Sequence, residues 1–307
     1  MSVNAAYSLY AAKIGSAFID QMENQNYDAG IEAMLIQANG QVYNQFAAIG
    51  LAQPKLSFDT SNLFSVFTAG MLGYQVGAGL TNTTAVFYWR QFQAQGGYKS
   101  GNFQESMTMH SGLILPRRLT ANTGERAVIQ MEVLPLFDGT NTPFVVVSGV
   151  ALPAGSPAIG HVHTAGPCIL NGVKFSGIQN LTIDFGIKEM LLKSDGEGYN
   201  SFIGVPKVDP VIEFETYDLG AIAALGQSTN ITSTTTFFLT AVQSGGMRYD
   251  YSSTEHMSVG VTAGMIYVEN AESRTGEVAK AKVKLQTIFD GTNLPITFNT
   301  ATAIVLP

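Results

Sequence analysis

The sequence repeats itself at a fixed distance, and any fold for it must accommodate that. Thr123-Gly124-Glu125-Arg126-Ala127 leads into an apolar run and then Phe137-Asp138-Gly139-Thr140-Asn141-Thr142-Pro143. Thr275-Gly276-Glu277-Val278-Ala279 leads into a similar run and then Phe289-Asp290-Gly291-Thr292-Asn293-Leu294-Pro295. Both landmarks are displaced by 152 residues (276 − 124 and 289 − 137). Upstream, Ser16–Leu63 matches Gly172–Leu219 without a gap at an offset of 156. That register pairs Asp28 with Asp184, Gly30-Ile31 with Gly186-Ile187, Tyr43-Asn44 with Tyr199-Asn200, and Pro54 with Pro210. Two landmarks at one spacing indicate a tandem duplication, with each copy one structural unit.

Local patterns describe that unit. Leu56, Phe58 and Thr60 alternate with Ser57 and Asp59, as Ile212, Phe214 and Thr216 alternate with Glu213 and Glu215. Period-2 alternation marks a strand with one buried and one wet face. A short helix follows in each copy: Asn62 and Asp218 are its N-caps, because a short side-chain oxygen accepts from the first free N–H groups, and Gly226 stops the second. Strands are expected at Ala85–Phe92 and Thr236–Val242. The Gly-, Ser- and Gln-rich segments 93–110 and 243–256 read as a mobile loop or an extended hairpin, the natural place for contacts between subunits. Each copy closes with a hairpin. In it Ala127, Ile129, Met131, Val133 and Phe137, or Ala279, Ala281, Val283, Leu285 and Phe289, share the buried face, while Lys280, Lys282 and Lys284 are wet. Residues 5–22 have helical spacing yet partly align with a strand, and read as an N-terminal arm whose last part joins the first domain. Pro153–Pro167 is dense in Pro and Gly and reads as a linker. The expected organisation is therefore an arm and first β-domain over 1–153, a linker over 154–171, and a duplicate β-domain over 172–307. The fold class is mainly β: two tandem β-sandwich or split-barrel domains, each with one short flanking helix.

Bulk composition narrows the function. Charged residues make up 13% of the 307, against about 25% in an ordinary soluble domain, which points to a surface covered by other copies or to a polar, uncharged β surface. The net charge of −7 and the lack of a basic cluster beyond Arg117-Arg118 argue against tight nucleic-acid binding. With Cys168 as the single cysteine, no intramolecular disulfide is possible. No secretory signal and no apolar run of membrane-spanning length is visible, so a soluble protein without membrane partners is expected.

Candidate chemistry is sparse. His161 and His163 with Cys168 could ligate a metal, but a fourth ligand is not evident. His110 and His256 fall in loop regions that do not align with each other. Glu213 and Glu215 lie about 7 Å apart along one strand face, a spacing compatible with glycoside chemistry, but their counterparts are Ser57 and Asp59. Asp138-Gly139-Thr140-Asn141 and Asp290-Gly291-Thr292-Asn293 resemble calcium-loop fragments without the later carboxylates and read as turns. The only tryptophan, Trp89, aligns with Thr240, so no duplicated aromatic sugar platform is expected. No catalytic, cofactor-binding or metal residue is assigned, and no enzyme activity is expected.

The order strand, strand, helix, strand, loop, long hairpin, with Val173–Asp184 and the strand-to-helix passage at 210–219, resembles the tail tube proteins of long-tailed bacteriophages. The resemblance implies β-sandwich domains with a flanking helix and a protruding loop, assembled as stacked six-domain rings around a DNA channel. Most tube subunits carry one such domain. A tandem copy implies that three chains form a ring, a closed assembly that reuses one interface. The implied partners are the chain itself, as stacked homotrimeric rings, other virion proteins, and genomic DNA only in passing; the implied location is the virion tail. A tandem β-barrel capsid protein forming pseudo-hexameric trimers is the alternative, and a carbohydrate-binding or hydrolytic surface protein is a third.

Overall fold

A computed structural model describes residues 6–37, 39, 41–93, 96–153, 161–194, 197–272 and 278–307. It is mainly β, built from antiparallel sheets with two short helices. The first half of the chain runs β1 (Tyr7–Ile14), β2 (Ala17–Ile19), β3 (Met22–Asp28), β4 (Ile31–Ile36), β5 (Phe46–Ala52), β6 (Lys55–Thr60), α1 (Leu63–Ala69), β7 (Tyr74–Val76), β8 (Ala85–Gln91), β9 (Gln104–Met109), β10 (Gly112–Asn122), β11 (Val128–Pro135) and β12 (Val145–Val150). The second half runs β13 (His161–Leu170), β14 (Val173–Phe175), β15 (Ile178–Asp184), β16 (Ile187–Leu192), β17 (Phe202–Val208), β18 (Val211–Thr216), α2 (Leu219–Leu225), β19 (Ser228–Asn230), β20 (Thr235–Gln243), β21 (His256–Val261), β22 (Gly264–Glu272), β23 (Lys280–Thr287) and β24 (Ile296–Thr302).

The halves correspond element by element, and so do their pairings. One sheet has the order β12-β9-β8-β1-β2, and its counterpart β14-β13-β20-β21-β24 has the same neighbours. Opposite them, β3-β6-β11-β10 and β15-β18-β23-β22 run in the same sense, with β7 on β10 and β19 on β22. The pairing of β10 with β15 merges these into one ten-stranded sheet through both halves. A two-stranded hairpin stands apart in each half, β4–β5 and β16–β17. Bulges repeat too: between Leu9 and Ala11 in β1, and between Ala165 and Cys168 in β13.

The core lies between the facing sheets, and a single buried apolar cluster runs through both halves. Phe58 meets Phe87 edge-on at 6.4 Å, and Phe214 meets Phe237 at 5.8 Å; edge-to-face is the geometry aromatic quadrupoles prefer. Buried hydroxyls repeat as well. Thr60 donates to the Asp20 carbonyl and accepts from Asn62 N–H, while Thr216 donates to the Ser176 carbonyl and accepts from Asp218 N–H. The helix caps form as expected, with Asn62 accepting from Ser65 N–H at 3.2 Å and Asp218 from Ala221 N–H at 3.0 Å.

Several expectations are corrected. Residues 7–19 are not an arm: β1 is hydrogen-bonded to strands on both sides. Its alternation changes phase at the bulge between Leu9 and Ala11, so Leu9, Ala12 and Ile14 reach the core while Lys13 on the other face is exposed. The linker reading fails for 161–170, which form β13. There Gly166 sits at the bulge, where a Cβ would come within 2.5 Å of Thr240 Oγ1 and 2.7 Å of the Phe238 carbonyl oxygen. The rest of that segment, 154–160, lies outside the described residues, as do Gly40, Gly196 and Gly276-Glu277. Within the segments read as a mobile loop or extended hairpin, residues 104–109 form a strand that pairs with β8, and His256 opens β21. Strand register sets Trp89 opposite Leu9 and Leu239 opposite Ala165, so Trp89 corresponds to Leu239 and not to Thr240. Among the described residues no helix is long and apolar enough to cross a membrane.

Candidate functional site: the junction between the halves

The residues of most interest lie where the two halves meet. Besides the bonds that tie residues 122–127 to β13, where Ala127 N–H donates to the His163 carbonyl and Gly124 N–H to the Thr164 hydroxyl, three contacts make this junction. In the first, β10 pairs with β15 in the register Arg118↔Asp184, Leu119↔Ile183, Thr120↔Thr182, Ala121↔Leu181 and Asn122↔Asn180. Thr123 N–H to the Gln179 carbonyl and Phe185 N–H to the Arg117 carbonyl extend it at either end. At the β10 bulge Arg117 points across the junction. Its Nε bonds the Glu132 carboxylate, which also meets Lys55; one terminal nitrogen reaches Glu189 Oε1 at 2.7 Å and the other the Ile187 carbonyl at 2.7 Å. Glu132 is nearly buried, its side chain 7% exposed.

The second contact is a latch. Phe137 N–H donates to the Asn200 carbonyl at 2.9 Å, the Phe137 ring lies 6.1 Å from that of Tyr199, and Ala52 N–H donates to the Gly198 carbonyl at 2.7 Å. The loop joining β16 to β17 thus rests on the first half, and Asn200 is buried. In the third contact Phe67 of α1 stacks on Phe298 of β24 at 4.4 Å.

Removing Arg117 would strand the partly buried carboxylates of Glu132 and Glu189. Losing one partner of such a network costs several kcal/mol in full burial; with Arg117 one-fifth exposed and Lys55 still on Glu132, about 2–3 kcal/mol is expected. Urea unfolding of Arg117→Ala should show that loss. Arg117→Lys should recover little of it, since an ammonium cannot span three acceptors in this fork. An unchanged midpoint in Arg117→Ala would refute the role.

The residues singled out for chemistry have structural settings. His161 and His163 lie on β13, their rings 5.1 Å apart, with His161 Nδ1 3.5 Å from a Glu255 carboxylate oxygen and His163 Nε2 3.1 Å from the Glu255 carbonyl. Burial pushes the His163 pKa down to about 4. Cys168 is buried in the core, which pushes its thiol pKa well up. Among the described residues no group of three or more His, Cys, Asp or Glu is placed so that it could hold a metal ion. His256 is not in a loop: it opens β21 and is buried. Its Nδ1 accepts from Ala241 N–H, so Nε2 carries the proton and donates to the Asp250 carbonyl. Gln104 does the same work in the other half, accepting from Gln91 N–H and donating to the Lys99 carbonyl.

Glu213 and Glu215 form a cross-strand ladder with lysines: Glu213 with Lys282 at 3.0 Å and Lys284 at 2.9 Å, Glu215 with Lys280 at 3.3 Å, and Lys282 also with Glu269 at 2.6 Å. The hydrogen bond from Lys284 is the main reason the Glu213 pKa lies below the usual range. A glycosidic general acid needs the opposite shift. Asp138 and Asp290 are turn residues, each accepting from the N–H groups two and three residues on and from the Asn141 or Asn293 amide.

Sequence reasoning noted Arg117 only as charge and Tyr199-Asn200 only as a repeat mark, and it placed both phenylalanines of the repeated turn on the buried face. Phe137 is half-buried and Phe289 is 62% exposed. No family model and no curated protein matches the sequence.

Proposed function

We propose that this chain is a virion structural protein that assembles, three copies to a ring and ring upon ring, into a phage tail tube. One observation carries the reading: the halves are joined head to tail by β10 and β15, and their counterparts β22 and β3 lie toward opposite ends of the same sheet, β3 as its last strand and β22 covered over part of its length by the short β19. A joint between like units, with its two faces left over at the ends, is the geometry of a ring or filament built from one heterologous contact. Eight strands lie on the path from β22 to β3, so three copies would supply 24. At about 4.8 Å per strand the closed sheet has a circumference of about 115 Å and a backbone diameter of at least about 37 Å, wide enough to pass a nucleic-acid duplex.

The face of that sheet turned from the core carries Asn26, Ser57, Thr120, Gln130, Thr182 and the Glu213–Lys284 pair. Its charges are of both signs, Glu213 paired with Lys282 and Lys284 and Arg118 opposite Asp184 in the register, so DNA meets no basic stripe and binding would be weak. Genomic DNA is a passing cargo in this reading; the lasting partners are further copies and other virion proteins, in the tail. The two halves are a tandem duplication of one tube-type domain, and the chain is not an enzyme. Electron microscopy of the purified protein is expected to show three-fold rings stacked into hollow tubes. Closed shells or hexagonal plates would favour a capsid protein instead, and dispersed monomers at high concentration would defeat both.

A further inference from the structure

We infer that the internal junction is the template for the contact between chains: the outer faces of the two halves form a head-to-tail interface with a second copy, in a register fixed by the repeat. Its ring closure rests on the assembly reading above; the contact itself does not require a tube.

Each of the three contacts inside the chain has an unmet counterpart outside it. For the sheet, Thr120 of β10 corresponds to Glu272 of β22 (offset 152) and Thr182 of β15 to Asn26 of β3 (offset 156). Thr120↔Thr182 in the chain therefore predicts Glu272↔Asn26 between chains, with Ala271↔Tyr27 and Asn270↔Asp28 following. The match extends to pairing at the other end of each strand. β10 pairs with β7 over 112–114 and with β15 over 118–122, and β22 pairs with β19 over 265–267, while among the described residues no strand pairs with 269–272 on that side. Both stretches are exposed apart from half-buried Gln25 within the β3 segment.

For the latch, Phe289 takes the place of Phe137, and Tyr43-Asn44 that of Tyr199-Asn200. Phe289 is 62% exposed and Tyr43 81% exposed. For the helix, α1 buries Leu63, Val66 and Phe67 because β24 covers it. α2 buries only Ala221, and its Leu219 is 39% exposed where Leu63 is 1% exposed. The counterpart of β24 is β12, whose Val146 and Val147 are exposed on the opposite half. Every partner missing on the second half is thus presented by the first half of another copy, and all three contacts run in the same direction. A surface patch without a purpose would not come in three matched pairs.

Cysteine pairs in the full-length chain test the register, since directly opposed antiparallel residues sit about 4.5–5.5 Å apart at Cα, within disulfide reach. Native Cys168 is buried and stays out of the reaction. Thr120→Cys with Thr182→Cys is the internal control and should close within one chain. Asn26→Cys with Glu272→Cys should give covalent species of two and three chains and none larger. Met265→Cys with Asn26→Cys, seven residues or about 23 Å out of register, should stay unlinked. In parallel, Phe289→Ser and Tyr43→Ser should each weaken self-association at least tenfold in sedimentation without lowering the melting temperature of the monomer. The double variant should be little worse than either, because the two rings touch one partner, each other. The inference fails if Asn26→Cys/Glu272→Cys stays monomeric while the control closes, or if the out-of-register pair links as readily. Tubes in the microscope without this cross-link would overturn the register and keep the tube; the cross-link without tubes would keep the interface and overturn the tube.

Discussion

Gly30→Ala and Gly186→Ala are each expected to lower stability by about 3–4 kcal/mol, among the largest single-residue effects in the chain. The two glycines occupy the same place in each half, at the root of the free-standing hairpin. Both have positive φ, +55° and +57°. Each carbonyl accepts from the strand returning from the hairpin, Gly30 from Gln53 N–H at 2.9 Å and Gly186 from Asp209 N–H at 3.1 Å. Each N–H donates to the preceding aspartate, Asp28 or Asp184, at 2.9 Å. A methyl group there would lie 2.1 Å from the Gln53 carbonyl oxygen or 2.0 Å from that of Asp209. These are backbone atoms, so the two strands must separate to relieve the clash, and the hairpin root breaks. Gly70→Ala and Gly226→Ala are the controls for the contact itself: their φ values are also positive and nothing lies within 4 Å of the added carbon, so only backbone strain remains, about 1–3 kcal/mol. Urea midpoints would separate the two classes; equal losses at all four positions would refute the steric argument.

The second large effect is acid lability of the second half. His163 is buried, and desolvation is the main cause of its low pKa of about 4; the His161 and His256 rings nearby push the same way, while the Glu255 carbonyl pushes back. In the unfolded chain the imidazole titrates near 6.5. Between those values the unfolded state binds the proton and the folded state does not, so stability falls as pH falls. Fully present above about 6.5 and lost by about 4, the contribution is roughly 3 kcal/mol. Carboxylates with depressed values, Glu213 and Asp138 among them, act below about 4, so the two windows are distinct. His163→Gln should flatten the unfolding midpoint between pH 6.5 and 4.5. A wild-type midpoint that does not move across that interval would contradict the buried, neutral imidazole.

How much was legible depended on whether the controlling interaction was local. The caps at Asn62 and Asp218, the alternation in β6 and β18, and the Asp-Gly turns at 138 and 290 were readable because each is set within a few residues. β1, β13, β9 and β21 were not. β1 loses period 2 at its bulge between Leu9 and Ala11, and β13 is buried along most of its length and carries Gly166-Pro167 at a bulge that only its neighbour β20 explains. His256 and Gln104 share one task without sharing a residue type, because what the position requires is one acceptor and one donor, and both side chains provide them.

The repeat itself, its two offsets and the succession of elements it dictates were determined by the sequence alone, because hydrophobic period, turn chemistry and capping act along the chain. Which ends meet was decided by the tertiary structure. Strand edges pair through backbone groups that every residue carries, so no side chain names the partner of β10. The pairing of β10 with β15 gave one copy of each repeated residue a partner and left the other exposed: Phe137 covered and Phe289 bare, Asn200 buried and Asn44 in solvent. Identical sequence signals thus have different fates in the two halves, because a chain has one internal junction and two free ends.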